Sequence, residues 1–216
     1  SAGYVVFDYS AIRDLFWQDA KMRTSFDGIV EIMGAKGTKW GRFTEEQMIA
    51  LPEREHKLMR STFAALFTPR YANGLRPVMQ EQIGRLLDEY APREHIDFEE
   101  FASYYPVSVL ARLVGAPLEL IPGLRTSMET IGHALILAKT RLPALEEAMD
   151  HMDAFAHGLM AGRRANPRTG QEPDLLDVLI AASDDGGISD RQLADLLIFL
   201  FVAGYDTSKN VLTYMM

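Results

Sequence analysis

The 216-residue sequence contains no cysteine. This absence excludes a disulfide framework, a thiol nucleophile and a cysteine-based metal site within these residues. The first ten residues show neither a basic start nor a long apolar core, so no secretory signal peptide is predicted and a cytoplasmic location is expected. The longest apolar run, Leu196 to Ala203, is about half of the ~20 residues that a membrane span requires. No transmembrane helix is therefore predicted.

Basic residues are also scarce relative to acidic ones. Lysine and arginine number 22 against 30 aspartate and glutamate, which gives a formal net charge of -8. This balance argues against nucleic acid as the main partner. The 48% hydrophobic and 24% charged fractions are ordinary for a globular protein, and no internal repeat or low-complexity tract is present. We expect residues 1–216 to form a single domain with a substantial core.

Helical signals dominate the sequence. Apolar residues recur at helical spacing from Leu75, Asp97 is placed to cap the next helix, and Gly115 followed by Pro117 is placed to end it. A short β-like run, Tyr4 to Phe7, is the one exception near the start. The sequence predicts a mainly α-helical fold with a trace of β at the N-terminus, and further helices over residues 121–139, 142–164 and 174–182.

The last stretch, Leu193 to Met216, has a pattern unlike the rest. Ser189 and Gln192 form a capping box in front of it, and the run from Leu196 is apolar on every side, as in a fully buried helix. Gly204, Asp206 and Thr207 then interrupt this run. Such a departure from good core design often marks a functional site.

These polar residues have two interpretations. Gly204 would allow a flat or bulky group to approach the backbone, while Asp206 and Thr207 provide a carboxylate and a hydroxyl that could relay a proton into a dry pocket. Alternatively, Asp206 caps a neighbouring helix and Gly204 only permits tight packing. The residues alone leave both open.

A second candidate site lies earlier in the chain. His56 and Arg60 are four residues apart, so they share one face of a predicted helix. Two adjacent donors suit an anionic group such as a carboxylate. The alternative is a solvated pair on an exposed face.

Three segments together resemble the cytochrome P450 haem-thiolate monooxygenases. Ala203-Gly204-Tyr205-Asp206-Thr207 is similar to the family's Ala/Gly-Gly-x-Asp/Glu-Thr motif. The segment HKLMRSTFAALFTPR, from His56, is similar to the family's H-x-x-L-R stretch, with Met59 where leucine is usual. VLARLVGAPLE, from Val109, resembles the end of the corresponding family helix. The resemblance extends over nearly the whole chain in matching order.

The resemblance implies a set of roles. The last helix would cross the distal face of haem b, with Ala203 and Gly204 against the cofactor and Asp206 and Thr207 as catalytic residues that deliver protons. His56 and Arg60 would bind a haem propionate. The substrate pocket would include Phe43, Leu200, Ala203 and Thr207, and the loop-rich region 23–45 would add the wall candidates Phe26, Ile29, Met33 and Trp40.

The implied reaction is the reductive cleavage of dioxygen at haem iron, with insertion of one oxygen atom into an apolar small molecule. A ferredoxin or a flavoprotein would donate the electrons. Its docking face would lie near the basic residues Arg54, Lys57, Arg60 and Arg70.

The chain also departs from the family. The iron ligand of the family is a cysteine thiolate, so it would have to come from outside this segment, and no Glu-x-x-Arg segment is present. We therefore expect an incomplete cytochrome P450-like domain that ends inside the distal helix. Two other hypotheses remain: a non-catalytic all-α ligand-binding regulator, for which the first 50 residues offer no DNA-reading helix, and a haem-free scaffold.

Overall fold

The computed structural model describes residues 5–18, 25–170 and 172–216, and these residues fold into α-helices joined by short turns. Tight 3-10 turns lie at Met48–Ala50, Ala64–Phe67, Leu118–Leu120, His133–Ile136 and Lys139–Arg141. The α-helices are α1 (Tyr9–Phe16), α2 (Phe26–Met33), α3 (Lys39–Glu46), α4 (Glu53–Phe63), α5 (Pro69–Gly74), α6 (Arg76–Tyr90), α7 (Phe98–Val114), α8 (Ile121–Gly132), α9 (Leu142–Ala165), α10 (Leu175–Asp184) and α11 (Asp190–Tyr214).

The predicted helix boundaries are confirmed where capping residues mark them. The Ser189 side chain accepts a hydrogen bond from the Gln192 amide at 3.2 Å, and the Gln192 side chain accepts one from the Ser189 amide at 2.9 Å. Asp97 accepts from the amides of the first turn of α7. Gly115 ends that helix with a φ of 65°, the left-handed conformation that glycine adopts without strain.

Two predictions about secondary structure are wrong. Residues 5–7 form no strand, because the surrounding described chain is helical and offers no second strand for pairing; Tyr4 lies outside the described residues. The predicted helix over 121–139 ends at Gly132. It tightens into the 3-10 turn at His133–Ile136, and Leu137 then takes a φ of 55°, which turns the chain away before α9.

Helix α11 is the central element of the main core. It packs against α7, α8 and α9, and every residue from Leu193 to Ile198 is buried. This confirms the predicted all-round burial for Leu196 to Ile198, whereas Phe199, Leu200, Val202 and Ala203 of the same run are only half-buried. A smaller cluster of Leu86, Tyr90 and Phe101 joins α6 to α7. In the described part of the chain, no helix is both long enough and apolar enough to cross a membrane.

Helix α3 is fixed over this core by charged groups. The buried Asp195 of α11 accepts two hydrogen bonds from the Arg42 guanidinium of α3, at 2.7 and 2.9 Å. The pKa of Arg42 is raised, chiefly by this hydrogen bond. From α9, the Glu146 carboxylate accepts hydrogen bonds from the Lys39 and Trp40 amides, at 2.9 and 2.8 Å. Because bidentate charged pairs fix orientation, α3 is held against both α9 and α11.

Candidate active site

A cavity of about 410 Å³ opens between α11, the end of α8 and the helices α2 and α3. Aromatic and aliphatic side chains form most of its wall, and the polar groups come from α11, from α3 and from the turn after α3. The lining residues are Phe26, Ile29, Trp40, Phe43, Thr44, Gln47, Ile49, Ile131, Gly132, Ala134, Phe199, Val202, Ala203, Asp206 and Thr207.

Most predicted pocket residues reach this cavity, and two do not. Met33 is instead 1% exposed within the main core. Leu200 packs, partly buried, against the same core. The reason lies in helix geometry: successive residues turn by about 100°, so the cavity-facing stripe through Phe199, Ala203 and Asp206 leaves Leu200 pointing elsewhere.

Thr207 occupies the cavity wall with its hydroxyl bound to its own helix. The Oγ1 hydroxyl donates to the Ala203 carbonyl oxygen at 2.7 Å, four residues earlier. This back-bond uses the hydroxyl proton and leaves the oxygen able to accept. Helix α11 stays α-helical through this turn, so the hydroxyl is positioned by backbone rather than by a loop.

Asp206 lies between the cavity and a buried cation. Its side chain is 43% exposed, and its Oδ1 is 3.9 Å from the Lys209 Nζ atom. Its carboxylate carbon is 3.7 Å from where a Cβ would stand on Gly132 of α8. Among the described residues Asp206 accepts no hydrogen bond, so the alternative that it caps a neighbouring helix finds no support.

Two polar residues of α11 were missed by the sequence reasoning. Tyr205 is fully buried, and its hydroxyl donates to Glu129 Oε1 of α8 at 2.6 Å; burial raises the pKa of this phenol. Lys209 is 9% exposed, and its Nζ lies 3.4 Å from Glu99 Oε1 at the start of α7. The sequence could have indicated both residues, because a tyrosine hydroxyl and a lysine ammonium within a helix predicted to be buried each require a polar or charged partner.

Gly204 faces away from the cavity. A Cβ added there would lie 2.9 Å from Leu110 Cδ1 of α7. The missing side chain therefore leaves room for the tip of Leu110 against α11. This geometry supports the packing interpretation of Gly204 rather than a side-on contact with a cofactor.

His56 and Arg60 lie on α4 as predicted, with different environments. His56 is half-buried, with its Nδ1 atom 3.0 Å from the Met48 carbonyl oxygen. Because a carbonyl only accepts, Nδ1 carries a proton and the Nε2 edge stays available. Arg60 is exposed and forms no ion pair within the described residues. Arg60 can therefore bind an anion directly, whereas His56 can donate to one from Nε2 only when its ring carries both protons.

These residues include candidates for the wall and the anchor of a haem site but no cysteine ligand, and neither His56 nor Arg60 lines the cavity. The small Ala203 and the apolar cavity suit a flat ring, and Arg60 suits a propionate. No group of three His, Asp or Glu side chains in the described part of the chain could hold a metal ion, and the sequence has no cysteine. A cysteine ligand for haem would have to come from outside these residues.

The chain is similar in sequence to known proteins. Residues 128–216 match the family model described as Cytochrome P450. The chain is 27% identical over 206 residues to luteothin monooxygenase of Streptomyces thioluteus, covering 94% of this chain and 50% of that protein. It is also 27% identical to mycinamicin IV hydroxylase/epoxidase of Micromonospora griseorubida, covering 92% and 52%.

The solved structures show the same fold. The structure described as epothilone B-bound cytochrome P450epoK aligns with a TM-score of 0.77 at 23% identity, covering 93% of this chain and 51% of that one. The chain thus spans about half the length of these relatives. The cytochrome P450-like, mainly α fold predicted from the sequence is confirmed.

Proposed function

We propose that this chain, which has the fold of a cytochrome P450 and is similar in sequence to bacterial members, is part of a haem-dependent monooxygenase. The protein would activate dioxygen and insert one oxygen atom into an apolar small molecule. One observation carries the proposal. The hydroxyl of Thr207 and the carboxylate of Asp206 lie on the wall of a mainly apolar cavity.

The chain's own residues would bind and orient the cofactor. Haem b, when bound, supplies the oxidising chemistry, and the protein supplies its position and electrostatics. Ala203 would lie against the ring, because it is the small residue on the cavity stripe of α11. His56 and Arg60 would hold a propionate: Arg60 through its exposed guanidinium, and His56 through Nε2 with both ring nitrogens protonated, since Nδ1 already donates to Met48.

Proton delivery would fall to Asp206 and Thr207. The Thr207 oxygen can accept a hydrogen bond from a water or a protonated oxygen at the cavity wall, because its own proton is used by Ala203. The Asp206 side chain reaches both the cavity and solvent. A carboxylate that exchanges a proton with solvent can pass it to a water held by Thr207.

The substrate would be a mostly neutral, apolar small molecule. The cavity volume of about 410 Å³ is within the usual range for small-molecule sites, and its wall is mainly aromatic and aliphatic. Exclusion of water by Phe26, Trp40 and Phe43 would protect the site from unproductive proton leakage. The electrons would come from a ferredoxin or a flavoprotein, which docks near the basic face of α4.

The test is a visible absorption spectrum of the full-length protein, reduced and exposed to carbon monoxide. A thiolate-ligated haem gives a Soret band strongly shifted to longer wavelength, and consumption of reductant should then yield an oxygenated product. A full-length protein that purifies without haem and takes up none would refute the proposal. That outcome would favour the ligand-binding regulator, for which no observation in the described structure speaks specifically.

A further inference from the structure

A line of alternating charges runs from the cavity wall to the protein surface. Asp206 lines the cavity, Lys209 follows three residues later on the same face of α11, and Glu99 lies beyond it on α7. Their side chains are 43%, 11% and 65% exposed, in that order. The buried cation thus separates two carboxylates that both reach water.

The Lys209 ammonium lies closer to the Glu99 carboxylate than to the Asp206 carboxylate. Lys209 Nζ lies 3.4 Å from Glu99 Oε1 but 3.9 Å from Asp206 Oδ1. Both distances exceed the usual N–H···O range of about 2.7–3.2 Å, so the contact with Glu99 is a long hydrogen bond and the contact with Asp206 is an ion pair without one. Asp206 is therefore attracted by the ammonium without being fixed by a hydrogen bond, so rotation of its carboxylate toward the cavity breaks little.

The surroundings hold Lys209 in place. Its Nζ atom stands 5.7 Å from the centre of the Tyr205 ring, and Tyr205 is itself anchored to Glu129. A buried ammonium is costly without anionic partners. The carboxylates of Glu99 and Asp206 are the anionic partners of Lys209, and Asp206 is the residue proposed to deliver protons.

We propose that Lys209, held by Glu99, is a positioning residue that keeps the Asp206 carboxylate at the solvent side of the cavity between proton deliveries. Lys209 and Glu99 would thereby fix the side of the cavity on which the Asp206 carboxylate meets solvent. This inference rests on the proposed function. In this step the Asp206 carboxylate takes one proton from solvent and passes it to the water held by Thr207, and no proton passes through Lys209.

The first experiment tests the interaction between Lys209 and Asp206 through protein stability and needs no activity measurement. In the full-length protein, Lys209→Met, Asp206→Asn and the double variant are compared by equilibrium unfolding. Each variant lowers the folding equilibrium constant by some factor. We expect the factor for the double variant to be about threefold smaller than the product of the two single-variant factors, which is near the lower end of the interaction energies measured for residues in contact. Strictly multiplicative losses would show that the two side chains do not interact, which overturns the proposal.

The second experiment measures proton delivery. Lys209→Met should slow turnover by roughly tenfold and raise the solvent isotope effect, a smaller change than the ~10²-fold that general acid–base catalysis contributes. Lys209→Arg should restore most of the rate, and Glu99→Gln should show the same trend more weakly. The matched control is Arg191→Met, which removes a 2.6 Å ion pair with Asp153 at the other end of α11 and should leave the isotope effect unchanged.

The outcomes separate this inference from the proposed function. If Asp206→Asn slows turnover but Lys209→Met keeps the wild-type isotope effect, Lys209 is only structural and the inference fails alone. If Lys209→Met and Arg191→Met change turnover equally, the effect is a general loss of α11 stability and the inference also fails. If the full-length protein binds no haem, the proposed function fails first, and the unfolding cycle still reports whether Lys209 holds Asp206.

Discussion

At the residue scale, the Thr207 hydroxyl can donate one hydrogen bond through its proton and accept others through its oxygen. The proton goes to the Ala203 carbonyl, so replacement by alanine removes one back-bond and little packing. We expect Thr207→Ala to keep haem and substrate binding near wild type, while more of the reducing equivalents leave as hydrogen peroxide instead of oxygenated product. Product and peroxide are measured against reductant consumed, at equal haem loading. If this variant forms as much product per reductant consumed as the wild type, Thr207 does not take part in proton delivery.

Arg60 offers a test of the proposed propionate anchor. It is exposed and forms no ion pair among the described residues, so its removal disturbs no intramolecular pair there. Arg60→Ala should cost about 1.5–3 kcal/mol of haem affinity in the full-length protein, as expected for a lost charge-assisted hydrogen bond. Arg54→Ala, also on α4 and exposed, is the control. Equal haem retention in both variants would remove Arg60 from the site.

Gly204 gives a stability prediction that is independent of haem. Alanine would place its Cβ 2.9 Å from the flexible tip of Leu110, which can move, so Gly204→Ala should be nearly neutral. Gly204→Val should destabilise the protein by about 1–3 kcal/mol through overpacking. Adding Leu110→Ala should recover part of that loss. Urea unfolding measures all three variants; a valine variant that Leu110→Ala fails to rescue would place the clash elsewhere.

At the element scale, α9 and α11 are joined by a surface cluster of charges. Arg164 of α9 donates to both carboxylate oxygens of Asp190, at 2.9 and 2.7 Å, and Ser183 donates at 2.8 Å. These hydrogen bonds, that of Arg164 foremost, lower the pKa of Asp190 from 3.8 to about 2. They favour the charged form of the carboxyl in the folded state.

The sign of the pH dependence follows from this lowered pKa. Above pH 3.8, Asp190 is ionised in both folded and unfolded states and its contribution to stability is complete. As pH falls from there toward 2, the unfolded state binds a proton first and stability is lost. Asp190→Asn should show a smaller fall over this window when unfolding is measured at successive pH values. Asp185→Asn, at an exposed carboxylate nearby, is the control and should follow the wild type.

The main core also shows how elements position one another. Asp195 of α11 and Glu146 of α9 both hold α3, so the aromatic side of the cavity is tied to the side that carries Asp206 and Thr207. This arrangement fixes the cavity's shape more firmly than apolar contacts alone, because bidentate charged pairs specify direction.

At the scale of the whole molecule, an acidic chain carries a local basic face on α4. Arg54, Lys57 and Arg60 are all exposed, although Lys57 pairs with Glu53 one turn earlier. Arg54 is therefore the better probe of electron-donor docking. Arg54→Glu should slow reduction by an acidic donor about threefold to tenfold at low ionic strength, and the effect should fade as salt screens it.

The control for docking is Arg141→Glu, an identical charge change on the exposed turn before α9. It should leave the reduction rate close to wild type at every salt concentration. If both variants slow reduction equally, long-range net charge explains the effect and α4 is not the docking face. A rate that ignores both salt and Arg54→Glu would also contradict docking there.

The sequence by itself determined the helical class and most helix boundaries. Capping residues such as Ser189, Asp97 and Gly115 act on their own neighbours, so their effect is readable locally. The same holds for the stripe that carries Ala203, Asp206 and Thr207, because helical spacing alone places those residues on one face. The family motif added the roles proposed for them.

Only the tertiary structure decided which partners these residues meet. No local rule says that Gly204 faces Leu110, that Leu200 turns from the cavity, or that Asp195 binds Arg42 some 153 positions away. Residues 5–7 failed as a strand for the same reason, since a strand needs a distant partner while a helix satisfies its own backbone. Lys209 shows the limit most clearly. Its type and position are local facts, but its place between Asp206 and Glu99 depends on how α7 packs against α11.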